Sequence, residues 1–289
     1  MRCDRCDNEF HETLERCPHC GRPGLYANVI AASKAEDVAA VDQRHEAAGR
    51  DADRRGCRDA FDALTAWLEG TVAVVARGYP EVHRLAATDR SVYGTYYDLV
   101  QSGLLLPDGG SWDLLREPAD ALLFPNYREK IRFAALSVDG WGVARYGDFF
   151  LTLRTPLIEH RASVYDGNST VLVRFLQIDD ATRVAEKLRG RRAPWATRAK
   201  LAAAQLGSHL DAASREADFQ GLLLADGPIA DGASDRFIEV NIWGPMTVRT
   251  VERVAYSKSG TTRRGIYKVE LKRLERLLQP YGVALEGRP

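Results

Sequence analysis

The chain lacks a net charge and a long apolar run, and each absence excludes a class of protein. Forty Lys and Arg residues balance forty Asp and Glu residues, so no overall field would steer the chain to nucleic acid or to an anionic membrane. Any charged partner must therefore meet a local patch. No apolar run reaches the roughly 20 residues that cross a bilayer, and the first residues form no apolar signal segment. We therefore expect a cytoplasmic protein with no membrane partner.

Cysteines are few, and their distribution is not the even spread of a secreted disulfide scaffold. Four of the five lie in the first twenty residues as two CxxC pairs with ten residues between them: Cys3, Cys6, Cys17 and Cys20. Two residues between cysteines let both sulfurs face one ion, and four thiolates complete the tetrahedral shell of Zn²⁺ without an open position. The sequence therefore predicts a structural zinc ribbon.

The four cysteines allow two alternatives to a four-thiolate zinc site. A pair of redox CxxC motifs is one, but redox motifs sit singly, near a βαβ pattern that is absent here. His11 or His19 could replace a thiolate, although four cysteines leave no vacancy. The ribbon could contact substrate or serve only as a staple for the fold.

Changes in composition divide the chain into three segments. Residues 1–27 form the zinc ribbon, residues 28–78 a helical linker or arm, and residues 79–289 an α+β domain. The arm is rich in Ala and charged residues, and we expect two helices there with a break near Gly49 or Gly70. Apolar residues recur in it at helical spacing at Phe61, Leu64, Leu68 and Val72.

The third segment contains more proline, glycine and aromatic residues, and it has short runs with the hydropathy patterns of strands and of helices. Runs typical of strands occupy residues 131–138, 149–153, 170–175, 237–243 and 248–255. Helical patterns occupy residues 92–104, 181–189, 196–206 and 268–278. This mixture predicts an α+β domain with strands near its centre.

Two basic stretches, residues 183–200 and 249–276, stand out against the neutral whole. Either could contact a phosphate-bearing ligand or RNA, and Trp195 in the first could offer a stacking surface. A solvated surface is the alternative interpretation of both stretches, and a core position is the alternative for Trp195.

The segment 237–243 alternates in hydropathy as a strand does. Ile238, Val240 and Ile242 point to one face, which we expect to be the core, and Glu239 points to the other. A carboxylate in mid-strand between aromatic residues suits the wall of a cleft. The alternative is an edge-strand glutamate paired with an arginine.

This strand resembles the catalytic-glutamate strand of bacterial ADP-ribosyltransferase-like domains of the toxin or defence type. Such strands read Glu-x-Gln/Asn-x-x-Gly-Pro, as Glu239, Asn241, Gly244 and Pro245 do, and continue into a V-x-x-V strand like residues 248–254. Phe237 stands where arginine-modifying members carry a second acid, which argues against an arginine acceptor.

Two further blocks resemble the same family in the same order, so that the resemblance covers roughly residues 125–255. Residues 127–154 include a Tyr-Gly step and a Leu-x-Leu strand, and residues 161–169 follow with an Arg-x-Ser step and an Asn-Ser turn. Residues 194–202 resemble the W-x-x-R-x-x-L helix of the family, in which Arg198 could be structural or functional.

The resemblance implies a split β-sandwich with helices that holds NAD⁺ between two bent sheets and cleaves the nicotinamide–ribose bond. Glu239 would stabilise the developing positive charge, while Asn241 and Ser163 would orient the ribose or the acceptor. Arg132, with Arg154 as the alternative, would hold NAD⁺.

Tyr146 and Tyr165 would stack on nicotinamide by the same resemblance, or else would be core aromatics. The expected protein is an NAD-dependent ADP-ribosyltransferase with structural Zn²⁺. It would modify a macromolecular acceptor, with DNA or RNA favoured over protein, as a toxin or phage-defence effector that a partner protein could neutralise. The alternatives are a zinc-ribbon nucleic-acid-binding protein with a non-catalytic α+β domain and an NAD⁺ glycohydrolase.

Overall fold

The computed structural model describes residues 3, 5–9, 16–22, 26–101, 103, 111–226 and 235–289. The helices are α1 (Ala27–Ala32), α2 (Ala35–Arg54), α3 (Arg58–Glu69), α4 (Tyr79–Ala86), α5 (Tyr96–Gln101), α6 (Ser111–Leu123), α7 (Ser169–Phe175), α8 (Val184–Lys187), α9 (Arg198–Leu206), α10 (Glu216–Leu223), α11 (Lys258–Arg263) and α12 (Lys268–Leu278). The strands are β1 (Val72–Arg77), β2 (Ile131–Ser137), β3 (Phe149–Leu153), β4 (Ala162–Tyr165), β5 (Arg192–Pro194), β6 (Leu224–Asp226), β7 (Asp235–Phe237), β8 (Glu239–Trp243), β9 (Val251–Ser257) and β10 (Ala284–Arg288).

Eight strands form one sheet in the order β10-β9-β3-β1-β2-β8-β4-β5. Adjacent strands of this sheet are antiparallel, except that β9 and β10 are parallel. β6 and β7 form a separate antiparallel pair. The predicted mixture of helices and strands is therefore confirmed, with the strands at the centre.

The sheet consists of two halves that are joined along a short seam between β1 and β2. These two strands pair through three residue pairs, from Val72 opposite Ser137 to Val74 opposite Ala135. Beyond Val74, β1 continues to Arg77 in pairing with β3, while the remainder of β2 pairs with β8. The two halves therefore diverge beyond this seam.

Helices α2, α3, α4, α9, α10 and α12 supply apolar side chains to the large core on one face of the sheet. Phe61, Leu64 and Leu68 of α3 are fully buried, because their spacing places them on one side of the helix. They pack in the same core as Val240 and Ile242 of β8. Residues 28–78 thus contribute helices and a strand to the core that the α+β segment forms.

One expected strand is a helix. Residues 170–175 form helix α7 and not a strand, because Asn168 caps the helix by accepting from the backbone nitrogens of Thr170 and Val171. Of the two positions expected for a helix break, Gly49 lies inside α2, which ends at Arg54, ahead of Gly56, whose φ of +70° favours glycine.

Val72 belongs to strand β1 and does not continue the helical repeat of Phe61, Leu64 and Leu68. Gly70 does end α3, as expected. Of the predicted helix at residues 92–104, residues 96–101 form α5, whereas residues 92–95 are not helical and residues 102 and 104 lie outside the described residues. Within the described ranges, none of the helices combines the length and apolar character needed to cross a bilayer.

Candidate functional site

The four N-terminal cysteines come together as the CxxC spacing predicts. Their Sγ atoms all lie within 4.8 Å of one another, with 3.5 Å between Cys3 and Cys20 and 3.6 Å between Cys6 and Cys17. Four sulfurs at about 2.3 Å from a tetrahedral Zn²⁺ would be separated by roughly 3.8 Å. The cluster therefore fits a structural zinc ion. His19 is exposed, and His11 lies outside the described residues.

Asn28 ties α1, the first helix after the cysteines, to the strands of the sheet. Its Nδ2 lies 2.9 Å from the backbone oxygen of Asn241, 3.2 Å from Ser163 Oγ and 3.2 Å from the backbone oxygen of Arg161. Two residues earlier, the buried Tyr26 ring packs near the Trp243 ring. The segment that follows the ribbon is thus anchored on β4 and β8.

A cavity of about 830 Å³ lies where the two halves of the sheet diverge. Residues 74–77 of β1 line one side, residues 131–135 of β2 line the other, and Glu239 of β8 closes the wall beside β2. The cavity is therefore a product of the split sheet. Its volume falls within the roughly 300–1,000 Å³ of small-molecule and cofactor sites.

Glu239 presents a buried carboxylate in this wall. Its Oε2 accepts a hydrogen bond from the backbone nitrogen of Ser169 at 3.3 Å, and its Oε1 is buried without a partner among the described residues. Burial raises the pKa of Glu239 to about 7, although the Ser169 contact and the positive charge of Arg116 act in the opposite direction. The side chain can therefore exchange a proton near neutral pH.

Glu239 is not an edge-strand glutamate paired with an arginine, which was the alternative interpretation of its position. β8 lies between β2 and β4 and is not an edge strand. Among the described residues, no salt bridge joins Glu239 to an arginine. A buried acid without an ion pair in a cavity wall is a recognised sign of a functional site.

Positive charge dominates the rest of the cavity lining. Two carboxylates, Glu81 and Glu239, face the guanidinium groups that line the cavity, which belong to Arg77, Arg84, Arg116, Arg132 and Arg145. Arg77 pairs with Glu81 at 3.3 Å. Burial lowers the pKa of Arg77. The negative charge of Glu81 raises that pKa, and the positive charge of Arg116 lowers it further. This lining suits an anionic ligand.

Arg116 is held in place from several sides. Its guanidinium lies 4.7 Å from the centre of the Phe133 ring and 5.3 Å from that of Tyr96. Its Nε is 3.6 Å from Asp120 Oδ2, which also accepts from the Tyr97 hydroxyl at 2.9 Å. Such contacts on the ring faces and the carboxylate restrict the guanidinium to one position in the cavity wall.

Glu239, Arg132 and Tyr146 are the predicted site residues that line the cavity. Arg132 also donates to the backbone oxygen of Lys130 at 3.0 Å. Arg154 lies elsewhere, because it donates to the backbone oxygen of Val251 at 3.1 Å and does not line this cavity.

Asn241, Ser163 and Tyr165 lie next to Glu239 in the sheet but do not line the cavity. In the pairing of β4 with β8, Ser163 is opposite Asn241 and Tyr165 is opposite Glu239. Asn241 is fully buried, and its side-chain oxygen and nitrogen have no partner among the described residues. Tyr165 is buried beside Phe124, and burial raises its pKa. Opposite residues of a ladder and alternate residues of a strand share one face of the sheet, so these three residues lie beside Glu239 on its own face.

Several lining residues were not singled out from the sequence. Asn168 and Thr170, at the start of α7, join the cavity wall beside Glu239. The Asn-Ser turn of the family resemblance pointed to this place, although residues 170–175 were expected to be a strand. Arg77 and Arg116 carry no local signal, since the fold alone brings them to the same cavity.

Trp195 and Arg198 have structural positions. Trp195 is buried in the core, which rules out a stacking surface for an external base. Arg198 lies over its ring at 4.6 Å and donates to Thr71 Oγ1 at 3.0 Å and to the backbone oxygen of Glu69 at 2.5 Å. The core and structural alternatives for these two residues are therefore correct.

No protein-family model matches this chain, and a search of curated proteins finds no match to it.

Proposed function

We propose that this protein is an NAD⁺-dependent ADP-ribosyltransferase that binds NAD⁺ between the halves of its split sheet. The observation that carries the proposal is the buried Glu239 carboxylate in a cavity whose lining is otherwise rich in guanidinium groups. The ordered sequence blocks support the ADP-ribosyltransferase-like resemblance, although the structure has one eight-stranded sheet where the resemblance implies two packed sheets.

The charges that line the cavity suit two parts of NAD⁺, the diphosphate and the nicotinamide-bearing ribose. Its diphosphate is an anion that guanidinium groups bind well, and the cavity offers Arg77, Arg116 and Arg132 for this purpose. The nicotinamide-bearing ribose would lie at Glu239. A ribose hydroxyl there would supply the donor that Oε1 lacks within the described protein.

The reaction breaks the bond between ribose C1′ and the nicotinamide nitrogen. The electron pair of that bond returns to the ring nitrogen, so neutral nicotinamide leaves and positive charge develops on the ribose. A carboxylate fixed in a poorly hydrated wall stabilises that charge strongly. A nucleophilic group of the acceptor then bonds to C1′ and loses its proton to solvent or to a nearby base.

The neighbours of Glu239, the four-cysteine ribbon and Tyr146 would have supporting roles. Arg116 would bind NAD⁺ and lower the pKa of Glu239, whereas Asn241, Ser163 and Tyr165 would keep β8 and β4 in position beside the carboxylate. The four-cysteine ribbon would hold Zn²⁺ as a structural ion and stabilise the segment that Asn28 ties to β8. Tyr146, exposed at the cavity mouth, would cover the nicotinamide end.

The favoured acceptor is nucleic acid, and such activity suits a toxin or phage-defence effector with a neutralising protein partner. Hydrolysis of NAD⁺ without an acceptor is the nearest alternative chemistry. A zinc-ribbon nucleic-acid-binding protein with a non-catalytic α+β domain is the second candidate, which the exposed cations of α12 favour, since they have no ion pair within the described ranges.

The acceptor is tested with NAD⁺ labelled in its adenosine part. The purified 289-residue protein and its Glu239→Gln variant are each incubated with labelled NAD⁺ and a bacterial lysate. The products are then treated with protease or with nuclease. We expect label that survives protease, is lost with nuclease and requires Glu239. Label with the opposite sensitivity would identify a protein acceptor, and nicotinamide release without label would identify a glycohydrolase. The absence of both label and nicotinamide release would reject the proposed reaction and favour the nucleic-acid-binding protein.

A further inference from the structure

The first basic stretch, residues 183–200, is largely engaged inside the fold. Arg191 pairs with Asp166 at 3.1 Å, and the buried Arg192 pairs with Asp37 at 2.9 Å. Because these cations neutralise buried carboxylates, they are poorly placed to bind an external phosphate.

The second basic stretch differs, because it ends in cations that are exposed and have no ion pair among the described residues. Those of α12 are Lys268, Lys272, Arg273 and Arg276. Glu270 caps the helix by accepting from the Tyr267 nitrogen at 3.1 Å, which leaves Glu275 as the exposed acid of α12. Positive charge is therefore in clear excess on this side.

These cations share one side of the helix because of their spacing. Lys268, Lys272 and Arg276 recur every four residues, so they lie on successive turns, about 6 Å apart along the helix axis. Leu274 and Leu278, on the opposite side, are buried in the core. α12 is thus fixed on the domain by its apolar side and presents a row of cations to solvent.

Exposed apolar groups accompany the cations at the start of α12. The Tyr267 side chain is 69% exposed and Val269 is 68% exposed. A row of cations beside an exposed aromatic ring is the combination by which proteins bind single strands, since the cations follow the phosphates and the ring stacks on a base. We call Tyr267, Lys268, Val269, Lys272, Arg273 and Arg276 together the α12 face.

The α12 face lies across α4 from the cavity. Tyr79, Pro80 and His83 of α4 form a groove of about 400 Å³ with α12 residues that include Val269 and Arg273. Pro80 also lines the cavity that contains Glu239. One helix, about 10 Å across, therefore separates the α12 face from the cavity.

We propose that the α12 face binds single-stranded nucleic acid and holds it beside the cavity. As the docking surface for an acceptor, the face rests on the proposed function, whereas binding itself does not require NAD⁺. Duplexes and proteins are the competing occupants, but a base inside a duplex cannot stack on Tyr267.

The test measures fluorescence anisotropy of a labelled single-stranded oligonucleotide of about 16 nucleotides, in RNA and DNA forms, and of the matched duplex. The test variant carries Lys268→Glu, Lys272→Glu and Arg276→Glu. The control variant carries Lys34→Glu, Arg174→Glu and Arg189→Glu, which are also exposed and change the net charge equally. All three proteins comprise residues 1–289, and their thermal unfolding is compared first.

We expect wild type to bind at least one single strand more tightly than the duplex. The test variant should bind more than about tenfold more weakly at ~0.1 M salt, with a salt slope smaller by about 2, because three phosphate contacts at 0.7 each are lost. Tyr267→Ala should lose at least about fivefold in affinity with an unchanged salt slope. The control variant should stay close to wild type.

Failure of wild type to bind single strands, equal binding of the duplex, or an equal loss in the control variant would each overturn the proposal. Glu239→Gln should bind the oligonucleotide as wild type does. Nicotinamide release without oligonucleotide binding would reject the docking surface alone, and binding without any nicotinamide release would reject the proposed reaction alone.

Discussion

The backbone nitrogen of Ser169 donates to Oε2 of Glu239 over 3.3 Å, so that the first turn of α7 holds one oxygen of the carboxylate in place. The other oxygen, Oε1, is buried and has no partner among the described residues. Leaving an ionised oxygen buried without a donor costs free energy. This arrangement favours the protonated acid in the free protein and a ligand that supplies the missing donor.

Replacement of Glu239 by glutamine should stabilise the protein at alkaline pH. The pKa of Glu239 is raised from 4.5 to about 7 in the folded state, so the folded protein retains a proton that the unfolded chain has lost. Stability therefore falls as pH rises between these two values and stays lower above pH 7. At pH 8, Glu239→Gln should increase the free energy of unfolding by up to about 3 kcal/mol.

Urea unfolding of both proteins at pH 4 and pH 8 checks this expectation. Glutamine can still accept the hydrogen bond from Ser169, so the two proteins should differ little at pH 4. Glu186→Gln, at an exposed position on α8, is the matched control and should show no such pH-dependent gain. A Glu239→Gln protein that is less stable than wild type at pH 8 would contradict the protonation behaviour described here.

Turnover of NAD⁺ should rise with pH and reach half its maximum near pH 7, because the ionised form of Glu239 stabilises the transition state. Arg116 lowers the pKa of Glu239 and Asp120 raises it. Arg116→Ala should therefore move the midpoint to higher pH, and Asp120→Asn should move it to lower pH. Initial rates of nicotinamide release across the pH range measure these shifts.

Glu117→Gln is the control for these two variants, since Glu117 lies on the same helix and is exposed. Its midpoint should equal that of wild type. Midpoints that stay the same in Arg116→Ala and in Asp120→Asn would show that Glu239 is not the group that titrates.

Sequence patterns predicted those features that depend on near neighbours in the chain. The alternation of Ile238, Val240 and Ile242 placed β8 correctly, and the CxxC spacing brought four sulfurs together. The strand predicted for residues 170–175 is wrong, because a short apolar run fits either a strand or a helix. The cap from Asn168 stabilises the helix.

The architecture of the cavity could not be read from local patterns. Its walls come from β1 and β2, which are about sixty residues apart in sequence and pair through a three-residue seam. Pairing register between distant strands depends on the packing of the whole core and not on either strand alone. For the same reason, Arg77 and Arg116 gave no sign that they would face Glu239.

Loss of the Asn28 amide should destabilise the protein, because one buried side chain contacts oxygens of β4, β8 and the turn before β4. Asn28→Ala leaves these acceptors without their donor and should lower the free energy of unfolding by about 2 kcal/mol. Asn28→Asp keeps the size but turns an oxygen toward them, and should be at least as damaging at neutral pH. Urea unfolding measures both, and an Asn28→Asp protein as stable as wild type would refute the bridging role.

Zinc content should depend on the N-terminal cysteines and not on the fifth. Cys17→Ser removes one of four ligands and should abolish stoichiometric zinc, whereas Cys57→Ser, in the buried core, should retain it. Elemental analysis of proteins produced with added zinc measures this directly. Equal zinc in the two variants, or none in wild type, would disprove the site.

Nicotinamide release from NAD⁺ by the 289-residue protein, in the presence of lysate nucleic acid, tests the central claim most directly. Wild type and Glu186→Gln should release nicotinamide at equal rates, and Glu239→Gln should be slower by a factor of about 10²–10³, as when a transition-state charge partner is removed. Equal rates in wild type and Glu239→Gln, or no release by wild type, would contradict the proposed role of this cavity.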